Sequence, residues 1–235
     1  MDESLRFMPD IDLMIFDCDG VLVDSEVLAA RIDAELITAA GYAITAEEVS
    51  ERYAGLTFQQ TLFEIEKISQ VPMSASMLTR ADALLDKALK NVKMIEGAPA
   101  AIAAFGAKTC ICSNSTSARL DITLTATGLK GAFGKRIYSA LEVADKRGKP
   151  APDVFLYGAK QMGADPARTF VIEDSVHGIH AAKAAGMRVI GFTGASHSTP
   201  GHAERLSDAG AETVINRLRD LLPTVEALSE WSGVV

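Results

Sequence analysis

The stretch Leu13-Met14-Ile15-Phe16-Asp17-Cys18-Asp19-Gly20-Val21-Leu22-Val23-Asp24-Ser25 runs an apolar segment into two acids two residues apart, followed by a glycine. The unbroken apolar run predicts a buried strand, and Asp-Gly predicts a turn at its end. Side chains at i and i+2 of an extended segment point the same way, so Asp17 and Asp19 are expected to project together. Carboxylates held that close repel unless one takes a proton or a cation lies between them. Either outcome suits phosphoryl transfer. A strand that simply ends in an Asp-Gly turn is the plainer reading of the same residues.

Working outward, the chain alternates short apolar runs with helical patterns. Strands are predicted at Leu13–Asp17, Thr109–Ser113, Arg136–Ser139, Phe170–Glu173, Val189–Phe192 and Thr213–Ile215. Helices are predicted near Ala98–Gly106, Ser117–Gly128, Pro152–Met162, Val176–Ala185, Pro200–Ala209 and Leu218–Leu228. This alternation implies crossover units and a doubly wound, mostly parallel α/β sheet. One interval breaks the rhythm. From Ser25 to Glu96 only helical patterns occur, at Glu26–Ala40, Ala46–Tyr53, Phe58–Ser69 and Ala75–Asn91. That is too long for a crossover and too apolar for a loop. The expected organisation is an α/β core of residues 1–24 and 97–235, with a helical cap of residues 25–96 inserted after the first strand.

Composition narrows the function classes. The chain has 235 residues, 48% of them hydrophobic, enough for a sizeable core in one domain or two. A net charge of −8 without a basic cluster argues against a nucleic-acid partner. No apolar run reaches membrane-span length, and Met1-Asp2-Glu3-Ser4-Leu5-Arg6 lacks the features of a secretory leader. Cys18, Cys110 and Cys112 sit inside apolar runs. Cys110-x-Cys112 lacks the second pair a zinc site needs, so core packing is expected for all three. A cytoplasmic protein without a membrane partner is expected, as a monomer or weak homo-oligomer.

Three further constellations fall at predicted strand ends. Ser113-Asn114-Ser115-Thr116 closes a strand with hydroxyls and an amide and opens a helix, which suits either an anion or an ordinary N-cap. Gly148-Lys149-Pro150-Ala151-Pro152-Asp153 places a lysine on a proline-stiffened turn, aimed inward at a phosphate or outward into solvent. Glu173-Asp174-Ser175 ends another strand in an acid pair. Ligands of open α/β sheets bind outside the carboxyl ends of the strands. By contrast, Gly194-Ala195-Ser196-His197-Ser198-Thr199-Pro200-Gly201-His202 reads as a flexible loop leading to a helix N-cap, rather than as a pair of metal ligands.

Asp17-x-Asp19-Gly20-Val21-Leu22-x-Asp24-Ser25, Ser113-Asn114, Lys149-Pro150-x-Pro152-Asp153 and Glu173-Asp174-Ser175 resemble, in order, the four motifs of the haloacid dehalogenase superfamily. The resemblance covers nearly the whole chain, and the helical insert sits where that family carries its cap. It implies a Rossmann-like core, magnesium as cofactor and a phosphoaspartyl intermediate. Asp17 is then the expected nucleophile and Asp19 the general acid and base. The Asp17 and Asp174 carboxylates and the Asp19 carbonyl would hold the metal, with Glu173 steering a metal-bound water. Ser113, Asn114 and Lys149 would hold the phosphoryl group.

The resemblance also sorts the reactions. Family dehalogenases lack an acid at the position of Asp19. Mutases of the β-phosphoglucomutase type carry a cap histidine where Ala29 stands, and an arginine after the turn that here reads Gly55-Leu56-Thr57-Phe58. A phosphatase acting on a small phosphorylated metabolite is therefore expected, similar to bacterial enzymes for 6-phosphogluconate and other sugar or polyol phosphates. A phosphomutase and a non-catalytic phosphometabolite binder are the alternatives. Glu26, Thr57, Gln59 and Gln60 are the polar positions by which the cap is expected to reach a sugar.

Overall fold

The computed structural model describes residues 11–53, 56–143 and 145–231. Six strands, β1 Leu13–Phe16, β2 Thr109–Ser113, β3 Ile137–Ser139, β4 Thr169–Glu173, β5 Arg188–Phe192 and β6 Thr213–Ile215, form one parallel sheet in the order β3-β2-β1-β4-β5-β6. All four residues of β1 are buried, because helices cover both faces of the sheet. Met14 and Phe16 point into one apolar cluster, while Leu13 and Ile15 point into the other.

The first cluster is closed by α5 Ala98–Phe105, α6 Ser117–Ala126, the short α7 Lys130–Phe133 and α11 Leu221–Trp231. On the opposite face lie α8 Asp153–Met162, α9 Val176–Ala184 and α10 His202–Asp208. The fold is the doubly wound α/β architecture that the strand–helix alternation predicts. Phe16 is fully buried and meets Phe133 edge to face at 6.2 Å; burying such a ring contributes about 1.5–3 kcal/mol. The three cysteines are buried in these layers, and burial pushes the thiols of Cys18 and Cys112 up.

Most elements begin or end within one to three residues of the predicted boundaries, and two helices differ in how they start. The helix expected from Pro200 begins at His202, because Gly201, at φ 79°, occupies the position before it. The helix expected from Leu218 opens as a 3-10 turn over Leu218–Asp220. Residues 25–96 hold α1 Glu26–Ala39, α2 Ala46–Arg52, α3 Phe58–Ser69 and α4 Ser76–Ala88, followed by a 3-10 turn at Leu89–Asn91. These helices share an apolar cluster of their own, centred on Ile37, Leu62 and Ile65. The two chain crossings lie side by side: Asp24 N–H donates to Lys93 O at 2.9 Å, and Ile95 N–H to Leu22 O at 2.9 Å. Arg119 of α6 reaches across to Asp82 and Asp86 of α4, at 2.6 and 2.7 Å. Among the described residues no helix is long and apolar enough to cross a membrane.

Candidate active site

Strand order reverses between β1 and β4, and ligands of open α/β sheets bind at the carboxyl ends of the strands beside such a switch. Asp17 follows β1, Glu173 ends β4 and Asp174 follows it. One carboxylate oxygen from each of the three lies within 4.8 Å of the others, and all three residues are buried. Lys149 enters this group from the loop before α8 and is itself buried. Its Nζ donates to Asp17 Oδ1 at 2.5 Å, Glu173 Oε1 at 2.6 Å and Cys112 O at 2.8 Å, so all three ammonium protons are used.

Burial draws the Lys149 pKa down, and the charges of Asp17 and Glu173 outweigh it and hold the ammonium above its ordinary value. Burial pushes Asp17 well above the carboxylate range, Lys149 pulls it back, and Glu173, Asp174 and Asp19 push it further up. Asp174 is raised too, first by burial and then by Glu173. A single lysine therefore faces an excess of negative charge.

Local backbone geometry makes this crowding possible. Gly20 has φ +75°, and a Cβ there would lie 1.8 Å from Asp174 Oδ2. A Cβ at Gly178 would fall 1.9 Å from the Glu173 carboxylate, which receives the N–H and hydroxyl of Ser175 at 3.1 and 2.9 Å. Both Glu173 oxygens are thus occupied by the protein, while the Asp174 carboxylate is left facing Gly20 and His197. Hard carboxylate oxygens converging on a buried, charge-rich point fit magnesium.

Asp19 is half-buried and is held by hydroxyls. Ser25 Oγ donates to its Oδ1 at 2.7 Å, and Ser115 and Ser113 Oγ donate to its Oδ2 at 2.7 and 3.3 Å. Ser25 precedes α1, where a serine usually caps the helix, yet its side chain makes no cap bond. That diversion has no sequence signal beyond Ser25 itself. Ser113 Oγ also accepts from Ser115 N–H at 2.9 Å. Asn114 holds the backbone of Lys149: its Oδ1 accepts from Lys149 N–H at 2.8 Å, and its Nδ2 donates to Lys149 O at 3.4 Å. The structure thus brings Asp17, Asp19, Ser113, Asn114, Lys149, Glu173 and Asp174 into one cluster.

The helical side differs from the expectation. Glu26 stands exposed at the edge of the cluster. Although the residue as a whole is exposed, its carboxyl is enclosed, and that burial, then Asp174 and Asp19, raise it to about 7 against the pull of His197. Thr57 and Gln60, expected to touch substrate, form a reciprocal cap at the start of α3. Thr57 N–H donates to Gln60 Oε1 at 2.8 Å, and Gln60 N–H to Thr57 Oγ1 at 3.3 Å. Thr-x-x-Gln before an apolar run carries that signal in the sequence. Gln59 is exposed, and among the described residues no hydrogen bond joins it to the acidic cluster. Ala29 and Phe58 are half-buried, Phe58 against the helical apolar cluster; Gly55 lies outside the described residues.

The loop after β5 leads to the N-cap of α10, as expected, but is tied to the core rather than flexible. Ser196 binds the Asp24 carboxylate through its N–H at 3.0 Å and its Oγ at 2.5 Å. His197 Nε2 lies 3.2 Å from Asp174 Oδ2, and His202 Nε2 donates to Asp174 O at 2.7 Å. Both histidines are drawn in because the loop must fold back over the carboxyl edge of the sheet to reach α10. Burial lowers the pKa of each.

Comparison with known proteins agrees with this geometry. Residues 14–192 match the haloacid dehalogenase-like hydrolase family. The 6-phosphogluconate phosphatase of Escherichia coli is 29% identical over 198 residues, 82% of this chain and 87% of that protein. A crystal structure of a haloacid dehalogenase-like protein of unknown function from Agrobacterium tumefaciens shares 54% identity and a TM-score of 0.90, over 93% of this chain and 99% of that one. A hydrolase from Deinococcus radiodurans with bound phosphate and sodium shares 32% identity and a TM-score of 0.81, over 95% of this chain and 97% of its own. With the four motifs converging at the strand ends and the match spanning the core, the chain belongs to the haloacid dehalogenase-like hydrolase family.

Proposed function

We propose that the protein is a magnesium-dependent phosphatase of small phosphomonoesters, chiefly sugar or polyol phosphates, acting through a phosphoaspartyl intermediate. The observation that carries this reading is the buried set Asp17, Glu173 and Asp174 with Lys149 bound among them. Asp17 Oδ attacks phosphorus and the phosphorus–oxygen bond to the leaving alcohol breaks. Asp19 gives that alcohol its proton, then takes one from the water that cleaves the acyl phosphate. The hydroxyls of Ser25 and Ser115 keep the Asp19 carboxyl in place for both transfers. Lys149 balances phosphoryl charge, Asn114 fixes the turn that carries it, and Ser113 with the Asn114 backbone holds phosphoryl oxygens. Asp17, Asp174 and the Asp19 carbonyl would hold magnesium, and Glu173, its oxygens occupied by Lys149 and Ser175, would support the site from behind. Bound there, the metal neutralises charge on the phosphoryl group.

Residues 25–96 act as a cap domain over a core of residues 1–24 and 97–235, a division supported by the separate apolar cluster of the helices and the paired crossings at 22–24 and 93–95. A cap favours small diffusible substrates and excludes water during transfer. The E. coli relative named for 6-phosphogluconate supports a phosphorylated sugar acid or sugar. Ala29 and Phe58, where a mutase would carry histidine and arginine, support hydrolysis over phosphoryl shuttling.

The test is phosphate release across sugar and polyol phosphates with magnesium, using wild type and Asp17→Asn. Wild type is expected to turn over without a bisphosphate activator. Asp17→Asn should stay folded and lose turnover by at least about 10³-fold, because an amide is a poor nucleophile. Near wild-type activity in Asp17→Asn would refute the assignment. Activator-dependent interconversion of glucose 1-phosphate and glucose 6-phosphate would instead establish the mutase.

A further inference from the structure

The geometry points to His197 as a positioning residue for the Asp174 carboxylate, an inference that rests on the metal-dependent reading above. The imidazole lies over Gly20: a Cβ on that glycine would sit 3.0 Å from His197 Cε1. From there Nε2 lies 3.2 Å from Asp174 Oδ2, a close polar contact without the alignment of a full hydrogen bond. A carboxylate only accepts, so the ring proton belongs on Nε2. The other nitrogen agrees. Nδ1 is enclosed and has no hydrogen-bond partner among the described residues. A proton there would be a buried donor left unmade, which costs more than a lone pair left unshared.

The ring is not on a free loop. Ser196, next to it, is bound twice by Asp24, and Ser198 N–H donates to Ala195 O at 3.2 Å. Beyond it, His202 Nε2 donates to the backbone oxygen of Asp174 itself and its Nδ1 takes Ser198 Oγ at 3.0 Å. The two rings stand 5.5 Å apart. Asp174 thus has one imidazole against its carboxylate and is hydrogen-bonded by the other at its carbonyl. Oδ2 is enclosed between Gly20 and the imidazole, so the ring limits how far the carboxylate can turn away from Asp17 and Glu173. Groups that orient a ligating carboxylate in this way set the affinity of the ion it holds.

Binding of Mn²⁺, followed by electron paramagnetic resonance on the intact protein, reads this directly and without turnover. His197→Ala is expected to weaken Mn²⁺ binding by about 10-fold or more. His197→Asn, whose amide can donate to the carboxylate, should bind more tightly than His197→Ala. kcat at saturating metal should change less than the metal concentration needed for half-activation. His197→Phe, which keeps a ring over Gly20 but has no donor, serves if the alanine variant does not fold, and should bind as weakly. Unchanged affinity in the donor-free variants would overturn the inference. So would a loss that asparagine does not relieve, since that marks packing alone. Failure of the wild type to bind Mn²⁺ would instead overturn the metal-dependent reading and this inference with it.

Discussion

Lys149 makes three hydrogen bonds in a space nearly closed to water, and its partners include two carboxylates that have little else to neutralise them. Its pKa is raised above the unfolded value, so the stability it contributes is complete below the unfolded lysine pKa and is lost only as pH rises through the folded one. Removing the charge is a different matter. Lys149→Met leaves Asp17 and Glu173 buried without a cation, which costs about 3–5 kcal/mol. Thermal denaturation at pH 8 should show that loss. It should be smaller at pH 5, because burial raises the Asp17 carboxyl and so favours its uncharged form on acidification. An equal loss at both pH values would contradict the charge argument. The residue types and spacing of Asp17, Lys149 and Asp174 were legible in the chain. The hydroxyl clamp on Asp19 was not, because Ser25 reads as a helix cap until its hydroxyl is seen to point elsewhere.

At the scale of elements, α3 and α1 each carry a prediction. Thr57 and Gln60 close the start of α3. Thr57→Ala should therefore lower stability by about 1 kcal/mol. Its kcat/KM for sugar phosphates should stay within about twofold, the free-energy equivalent of less than half a kcal/mol. A substrate-selective fall in kcat/KM at unchanged stability would restore the substrate-contact reading.

On α1, burial and then Asp82 raise Asp33 to about 7. The folded state thus binds a proton more tightly than the unfolded chain, so this residue's contribution is most favourable below about pH 4 and is lost as pH rises through 7. Asp33→Asn should raise Tm at pH 8 by about 2–4 °C, the equivalent of about 1 kcal/mol. The gain should fade at pH 5, and a gain that grew on acidification would reverse the sign.

For the whole molecule, the acid-rich floor between β1 and β4 is a source of electrostatic strain that a divalent cation would relieve. Magnesium should raise Tm, with a stabilisation of about 2.7 kcal/mol at a hundred times its Kd. EDTA should reverse both that shift and the hydrolysis of p-nitrophenyl phosphate, a small substrate that needs no cap contacts. Activity that survives exhaustive chelation, or a Tm indifferent to magnesium, would remove the metal from the proposed mechanism.

Strand positions, the doubly wound plan and the helical insertion were determined by the sequence, because they follow from local periodicity: continuous apolar runs for strands buried on both faces, and a 3.6-residue pattern for helices. The motif residues were legible for the same reason, each sitting where an apolar run stops. What only the tertiary structure decided are pairings between residues far apart in the chain. Ser115 meets Asp19, Asn114 holds the backbone of Lys149, and Asp174 is met by His202 at the start of α10 and by His197 from a loop that by composition alone reads as flexible. No local preference encodes such contacts. They arise because a parallel sheet brings every strand's carboxyl end to one edge, and every loop leaving that edge must satisfy its polar groups there.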